Sequence, residues 1–299
     1  MKFIGSLLAA TFLFLGFNST EAAAEAFKVK IGTDSVVFPD AQPIVKNNRL
    51  LVPLRPVFES MNADVKWNPD TNAVTSQLSK YGTTAKLALN IQSPFLEKQY
   101  SNKYYIQQSD VKPVVINNRT YIPLRLVGEA YGYDVVWNGS TNTATYKETG
   151  SLHLADPTYK THLSTGSIGK QNVYELETFF SVNKYRASYG KKELALNPTL
   201  SNVAREKSRD MLVKNYFDHT SPTYGSPFDM MKQFGISYTS AGENIAAGYT
   251  TTSAVMTGWM NSPGHKANIL SDNFTQIGVG YIKGTTGYKT YWTQMFIRP

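Results

Sequence analysis

The chain has 299 residues, 41% of them hydrophobic and 17% charged, which is typical of a globular protein and long enough for two domains. It contains no cysteine, which excludes disulfide bonds, a thiol nucleophile and thiolate metal sites. The net charge of +8 is spread evenly, with 14 basic and 10 acidic residues in residues 27–150 and 13 and 9 in residues 171–299, and this distribution argues against nucleic-acid binding.

The N-terminus has the pattern of an export signal. Lys2 precedes an apolar stretch from Phe3 to Phe17, and the small residues Ala22–Ala24 follow, as signal peptidase requires. A buried helix or a membrane anchor is the alternative, but the apolar stretch is shorter than a spanning helix. We therefore expect residues 1–24 to be a signal peptide, the mature chain to have no membrane span, and the protein to be secreted, extracellular or associated with the cell wall.

Residues 27–150 contain an internal repeat with an offset of 70 residues. Each copy has N-N-R, then P-L-R, then D-V-x-W-N, and the copies begin at Asn47 and Asn117. Each predicts a strand, a short helix after the proline, a strand ending at the tryptophan and one further strand. We expect these two β-α-β-β units to bury each other's apolar faces, and we interpret the repeated arginines and tryptophans as structural ion pairs and core aromatics.

These motifs resemble the copper amine oxidase N-terminal domain, and the resemblance covers residues 27–149. It implies a β-rich α/β stalk domain that serves as a spacer or adhesive module in bacterial surface proteins. Copper is not expected here, because residues 27–150 contain no histidine or cysteine and only Met61 as a soft donor. No amine oxidase activity is expected either.

Residues 150–170 predict a linker. They are rich in serine, threonine and glycine and show neither helical nor strand periodicity. His153 and His162 lie in this segment, and we expect both to be solvated rather than to bind a metal.

Residues 171–299 predict helices followed by a β-hairpin, an α+β arrangement. The predicted helices are residues 172–190, a helix capped by Asn197 with Pro198 in its first turn, Phe228–Phe234, and Thr252–Asn261. In the predicted hairpin, Ile277, Val279 and Tyr281 alternate with glycines, and Tyr291–Phe296 forms the second strand.

Two histidines and one glutamate lie in distinctive surroundings in this part of the chain. His219 follows the second predicted helix and His265 follows the fourth, both at predicted loop positions, where functional side chains gather. Glu243 is flanked by small and apolar residues that would bury it. A buried carboxylate needs a partner, and an imidazole N–H is suitable because the carboxylate also fixes the tautomer of the ring.

Five motifs in order resemble the bacterial branch of the CAP, or SCP, superfamily: D-H-T-S-P, A-G-E-N-I-A, W-M-N-S-P-G-H-K-A-N-I-L, I-G-V-G and Y-W-T-Q-M-F. The resemblance runs from about residue 172 to the C-terminus. It implies an α-β-α sandwich with a large cleft in which two histidines and acidic residues face each other, here His219, Glu243 and His265. At Ser262 the chain departs from animal and plant members, which have a second glutamate there, and this loss weakens divalent-metal binding.

Three interpretations of these side chains follow from the residues. The cleft can bind a ligand: a cell-wall polymer, lipid or peptide, or a divalent cation such as zinc held by His219 and His265. It can act as a hydrolase, with Ser221 or Ser262 as the nucleophile, or serve only as a hydrogen-bonded strut. We expect a binding module that requires no cofactor, with a protease-like or wall-acting hydrolase as the alternative. Aromatic residues expected near the cleft are Tyr216, Phe217, Tyr238, Trp259 and Trp292.

Overall fold

The structure is a computed structural model, which describes residues 26–69, 72–91, 93–101, 103–152, 159–163 and 171–299. The predicted signal peptide lies outside these residues, as does His153. Within the described part of the chain, no helix combines the length and the apolar character needed to cross a membrane. The fold has a β-rich N-terminal domain and a separate α-β-α domain, which confirms the predicted fold class.

The N-terminal domain is built from short strands and two short helices that follow the repeat. In chain order its elements are β1 (Lys28–Ile31), β2 (Asp34–Ser35), β3 (Ile44–Lys46), β4 (Arg49–Pro53), α1 (Leu54–Ser60), β5 (Asp64–Asn68), β6 (Ala73–Lys80), β7 (Thr83–Asn90), β8 (Phe95–Tyr100), β9 (Lys103–Gln108), β10 (Val114–Ile116), β11 (Arg119–Pro123), α2 (Leu124–Ala130), β12 (Tyr133–Asn138) and β13 (Thr143–Glu148). The order β4-α1-β5-β6 recurs as β11-α2-β12-β13, so the predicted β-α-β-β units are confirmed.

The two repeats join through their first strands. β4 and β11 pair antiparallel, with Val52 opposite Ile122, and both residues belong to one buried core that spans the two units. The N-N-R motif forms the hairpin turn before each of these strands. Asn47, Asn48, Asn117 and Asn118 all have positive φ, between 48 and 58°. Asparagine tolerates this left-handed conformation better than other non-glycine residues, and hairpin turns of the mirror-image type require it.

The repeated arginines and tryptophans have different environments. The arginines form the predicted ion pairs within each helix, Arg55 with Glu59 at 3.3 Å and Arg125 with Glu129 at 3.9 Å. The tryptophans are not core residues: Trp67 is 42% exposed and its counterpart in the second repeat is 45% exposed. That part of the prediction is wrong, because the C-terminal half of each D-V-x-W-N strand lies outside the core.

The predicted linker contains a strand, β14 (Tyr159–Leu163), which pairs antiparallel with β9 at the edge of a six-stranded sheet. His162 lies on this strand, opposite Tyr105 in the backbone pairing. The interpretation of the whole segment 150–170 as irregular is therefore wrong at these residues. An open sheet edge offers unpaired backbone groups, so a short segment with weak strand propensity can join it.

The C-terminal domain places helices on both faces of one sheet. Its elements are α3 (Val173–Ser188), β15 (Ala195–Leu196), α4 (Pro198–Lys214), α5 (Pro227–Gln233), β16 (Ser240–Ala247), α6 (Thr252–Asn261), α7 (Pro263–Leu270), β17 (Gln276–Lys283) and β18 (Thr290–Arg298). The sheet order is β15-β17-β18-β16, and the predicted β17-β18 hairpin is confirmed.

Successive side chains of β17 face the two helical layers in turn. Ile277, Val279 and Tyr281 share a core with residues of α3, α6 and α7, whereas Gly278 and Gly280 lie directly against α4. The predicted start of α4 is confirmed as well: the side chain of Asn197 accepts a hydrogen bond from the third residue of the helix, and Pro198 is the first helical residue.

Two elements of this domain differ from the predictions. His265 was expected in a loop, but it lies in the first turn of α7. Pro263 explains both observations. A proline disfavours the helical conformation in the residue before it, so α6 ends, yet its own fixed φ suits the first position of a new helix. The second difference is β16, which carries Glu243 and was not predicted as a strand.

Candidate functional site

The centre of the site is a hydrogen bond between His219 and Glu243. His219 Nδ1 donates to Glu243 Oε1 at 2.7 Å, across 24 residues of sequence. The Glu243 side chain is 1% exposed, whereas that of His219 is 53% exposed. The carboxylate thus fixes the ring from the protein interior and leaves Nε2 as the nitrogen available to a ligand.

Two polar residues of α4 hold the loop that carries His219. Lys207 Nζ donates to the backbone carbonyls of Asp218 at 2.8 Å and of His219 at 2.6 Å. Asp210 accepts hydrogen bonds from the hydroxyls of Tyr216 and Ser221, at 2.7 and 2.6 Å. Sequence reasoning missed both residues of α4. The available signal was their position: Lys207 and Asp210 are the charged residues on the buried face of the helix.

These contacts give Ser221 a structural role. Its hydroxyl donates to Asp210 Oδ2 and accepts from the backbone N–H groups of Thr223 and Tyr224, both at 2.9 Å. A serine with this set of partners stabilises the turn. An activated nucleophile would instead be hydrogen-bonded to a histidine, and these contacts of Ser221 include none.

A network of side-chain amides fixes α7, and with it His265, against β16. Asn244 Nδ2 donates to the carbonyl oxygen of His265 at 3.1 Å and to Gln294 Oε1 at 3.0 Å. Asn268 Nδ2 donates to Asn244 Oδ1 at 2.9 Å and to the carbonyl oxygen of Glu243 at 3.2 Å. The asparagines of the A-G-E-N-I-A and K-A-N-I-L motifs therefore hold the helix of one histidine to the strand of the glutamate.

The surroundings of the two imidazoles shift their pKa values in opposite directions. The hydrogen bond to Glu243 raises the pKa of His219 above the ordinary 6.5. Burial, followed by the positive charge of His219, lowers the pKa of His265. His219 and Glu243 share a direct contact, whereas His265 is connected to the strand of Glu243 through Asn244.

A cavity of about 370 Å³ opens beside His265. Its wall includes Ser262 and Trp259, and the exposed aromatics Phe217, Tyr249 and Tyr288 contribute to its lining. His219 and Glu243 are not among the lining residues, but His219 follows Phe217 by two positions in the loop.

Of the aromatic residues expected near the cleft, Phe217 and Trp259 line this cavity. Tyr216 instead donates to Asp210, and Tyr238 packs against the core between α4 and α5. Trp292 is fully buried in the core between the sheet and the helices α3, α6 and α7. Its indole N–H donates to the carbonyl oxygen of Tyr249 at 2.9 Å.

The donor atoms near the histidines do not fit a resident metal ion. Among the residues that the structure describes, no three or more histidine, aspartate or glutamate side chains are arranged to hold one. Nδ1 of His219 is hydrogen-bonded to Glu243, so this ring offers only Nε2 to a metal ion. Binding of zinc by His219 and His265 stays a prediction from the sequence.

The opposite shifts of the histidines give a titration prediction. When the histidine rings are titrated by nuclear magnetic resonance, we expect the titration midpoint of His219 above pH 6.5 and that of His265 below pH 6.5. The stability contributed by protonated His219 is then fully present below 6.5 and is lost as the pH rises through the raised midpoint. Glu243→Gln removes the cause and should move the His219 midpoint down. A midpoint that does not respond to Glu243→Gln would contradict the described contact.

The family comparisons agree with this architecture. Residues 179–296 match the family model described as the cysteine-rich secretory protein family, CAP. The C-terminal domain is a CAP domain. Residues 30–146 match the copper amine oxidase N-terminal domain, so both family resemblances seen in the sequence are confirmed.

The chain resembles two curated proteins of Bacillus subtilis. The uncharacterized protein YkwD is 53% identical over 138 residues, which are 46% of this chain and 52% of that protein. The uncharacterized membrane protein YlbC is 34% identical over 128 residues, 43% of this chain and 35% of that protein. The chain thus spans about half or less of the length of these relatives. Among solved structures, it resembles an extracellular protein containing a SCP domain from Bacillus anthracis, with 20% identity, a TM-score of 0.40 and coverage of 88% of this chain and 74% of that one.

Proposed function

We propose that this is an exported protein of the bacterial cell envelope, whose CAP domain binds a wall component, lipid or peptide in the cleft of His219, Glu243 and His265. The observation that carries the proposal is the contact between a half-exposed imidazole and a fully buried carboxylate. Burying a carboxylate costs free energy, and proteins keep such unfavourable arrangements mainly at functional sites.

The chemistry of the cleft favours a ligand with both polar and apolar parts. His219, with its raised pKa, is a hydrogen-bond donor over more of the neutral range than an ordinary histidine, whereas His265 is mainly neutral there and can accept. Aromatic side chains lie in the adjoining cavity. A donor, an acceptor and aromatic surface together suit amide or hydroxyl groups attached to an apolar body, as in the peptides of a cell wall.

One observation favours hydrolysis as a second candidate. Ser262 lines the same cavity as His265, at the position where the family's animal and plant members have a second glutamate. Incubating the chain with purified peptidoglycan, lipid vesicles and peptides, and measuring retention and product release separately, distinguishes the two functions. Retention without release supports binding, and release of new amino or reducing ends supports the hydrolase.

The substitution His219→Asn distinguishes a ligand-binding role of His219 from a purely structural one. In His219→Asn, the side-chain amide nitrogen can replace Nδ1 as donor to Glu243, while Nε2 is lost. We expect an unchanged melting temperature and a loss of about tenfold or more in affinity for wall fragments, since hydrogen bonds to a charged group contribute about 1.5–3 kcal/mol.

Lys232→Ala is a control, because it removes an exposed basic side chain far from the cleft. Lys232 lies on α5, which packs against α4 on the opposite face of the sheet from α6 and α7. The Lys232→Ala variant should bind as the unmodified chain does. Full affinity in His219→Asn would show that the histidine serves only as a strut.

A further inference from the structure

The N-terminal domain carries two surface grooves that are related by its internal repeat. Groove 1 has a volume of about 1030 Å³ and is lined by Arg55, Glu59 and Trp67. Groove 2 has a volume of about 580 Å³ and is lined by the residues 70 positions later, Arg125, Glu129 and Trp137. The equivalence extends to the groove floors, where Pro53, Leu54, Val65 and Val74 in groove 1 correspond to Pro123, Leu124, Val135 and Ala144 in groove 2.

A second arginine, supplied by the other repeat, pairs with an aspartate in each groove. In groove 1, Arg119 Nε donates to Asp40 at 2.9 Å. In groove 2, Arg49 Nε donates to Asp110 at 2.7 Å. Each groove therefore needs both repeats, and the duplication has preserved a whole site rather than a single side chain.

Packing within the domain covers only part of the surface of Trp67 and Trp137. Both are more than two-fifths exposed, although tryptophan is among the side chains that gain most from burial. The ring of Phe27 lies 6.2 Å from that of Trp137, centroid to centroid, and this contact still leaves Trp137 45% exposed. Trp259 and Trp292 of the CAP domain, by contrast, are in the core. An indole left open beside arginine and carboxylate groups, twice in the same arrangement, has the composition of a ligand site.

The charges identify the class of ligand. Each groove is lined by two arginines and two acidic residues, so its net charge is zero. A polyanion such as a nucleic acid or a polyuronide would require an excess of arginine or lysine. Paired guanidinium and carboxylate groups instead offer donors and acceptors side by side, which matches hydroxyl groups because each hydroxyl both donates and accepts. The C–H face of a neutral pyranose ring packs well on an indole, whose π face is negative.

We propose that grooves 1 and 2 are two equivalent binding sites for neutral pyranose units of a polysaccharide, each packing a sugar ring on its tryptophan. Two like sites on one domain suit a polymer with repeated units, because binding at one groove raises the effective concentration at the other. This inference does not depend on the function of the CAP cleft.

The tryptophans themselves report on binding. The chain has four tryptophans, and the two in the CAP domain are buried, so acrylamide quenching of fluorescence acts mainly on Trp67 and Trp137. We expect triacetylchitotriose and cellotriose, as neutral probes, to protect the chain from acrylamide. Trp67→Ala and Trp137→Ala should each remove about half of the protection, and the double variant should remove all of it. Retention on insoluble chitin should fall about tenfold or more in each single variant.

Controls keep the test decisive. Tyr189→Ala removes an exposed aromatic from the CAP domain and should leave protection unchanged. Trp67→Phe and Trp137→Phe should preserve retention on chitin, because the ring face is kept. The proposal is overturned if neither neutral trisaccharide protects the tryptophans, if the double variant with an unchanged melting temperature retains chitin binding, or if trigalacturonate or a proline-rich peptide protects the tryptophans more strongly than the neutral sugars do.

Discussion

Gly280→Ala will strongly destabilise the CAP domain. A Cβ at Gly280 would lie 2.1 Å from Ala204 C and from Arg205 N of α4. These are backbone atoms, which cannot rotate away as a side chain would, so α4 must move off β17. Overpacking in a core typically costs about 1–3 kcal/mol, and a clash with a helix backbone belongs at or above the upper end of that range. Denaturant unfolding of the full chain, followed by the fluorescence of the buried tryptophans, measures the loss.

Gly264→Ala is the matched control for this experiment. Gly264 lies in α7, and a Cβ there meets no atom within 4 Å. Alanine is preferred over glycine in a helix by up to about 1 kcal/mol, so this variant should be as stable as the unmodified chain or slightly more so. If Gly280→Ala unfolded at the same denaturant concentration as Gly264→Ala, the close packing of α4 on β17 would be incorrect.

The second large effect is expected at Glu175, the most heavily bonded carboxylate of the CAP domain. Its side chain is fully buried and accepts from Arg205 Nε at 2.7 Å, from Arg205 Nη2 at 2.6 Å, and from the backbone N–H groups of Asn172 and Tyr281 at 3.0 and 3.1 Å. It joins α3, α4 and β17 at one point. Glu175→Ala removes the carboxylate that accepts from the Arg205 guanidinium and from two backbone N–H groups. Breaking a buried ion pair costs about 3–5 kcal/mol, and because the Arg205 side chain is 25% exposed and also donates to Asn202, we expect a loss near the lower end of that range.

An exposed ion pair supplies the comparison for Glu175. Glu59 pairs with Arg55 one helical turn away, and both side chains are more than half exposed. Such pairs contribute about 0.3–0.5 kcal/mol, so Glu59→Ala should barely change the denaturation midpoint of its own domain. A loss below about 1 kcal/mol in Glu175→Ala would mean that the buried pair does not hold the three elements together.

The sequence predicted the elements whose signals are local. Asn197 and Pro198 fix the start of α4 through side-chain capping and a preset φ, and both act within four residues. The glycines of the I-G-V-G motif were correctly placed on a strand, although their role, to admit the backbone of α4, requires knowledge of which helix crosses them. The repeat also predicted its own secondary structure, because the same local signals occur twice.

Features set by distant parts of the chain were not predictable in this way. The position of Lys207 and Asp210 on the helix marks them as unusual, but which groups they hold becomes apparent only from the fold, where the loop from Tyr216 to Tyr224 lies against α4. The exposure of Trp67 depends on where the partner strands end, since a strand pattern alone does not say which tryptophan lies beyond the core. The side chains of His219 and Glu243 were matched by chemistry and by family resemblance, whereas their 2.7 Å contact depends on the packing of β16 beside that loop.

The most direct test of the proposed cleft follows the imidazole resonances of the chain labelled with ¹⁵N-histidine while soluble peptidoglycan fragments are added. His219→Asn and His265→Asn assign the two rings. We predict that both resonances shift together along one saturation curve and that the same curve describes binding measured by calorimetry. His219→Asn should weaken this binding about tenfold or more while leaving the melting temperature unchanged. Fragments that bind with both rings unmoved, or an absence of binding to the intact chain, would contradict the account.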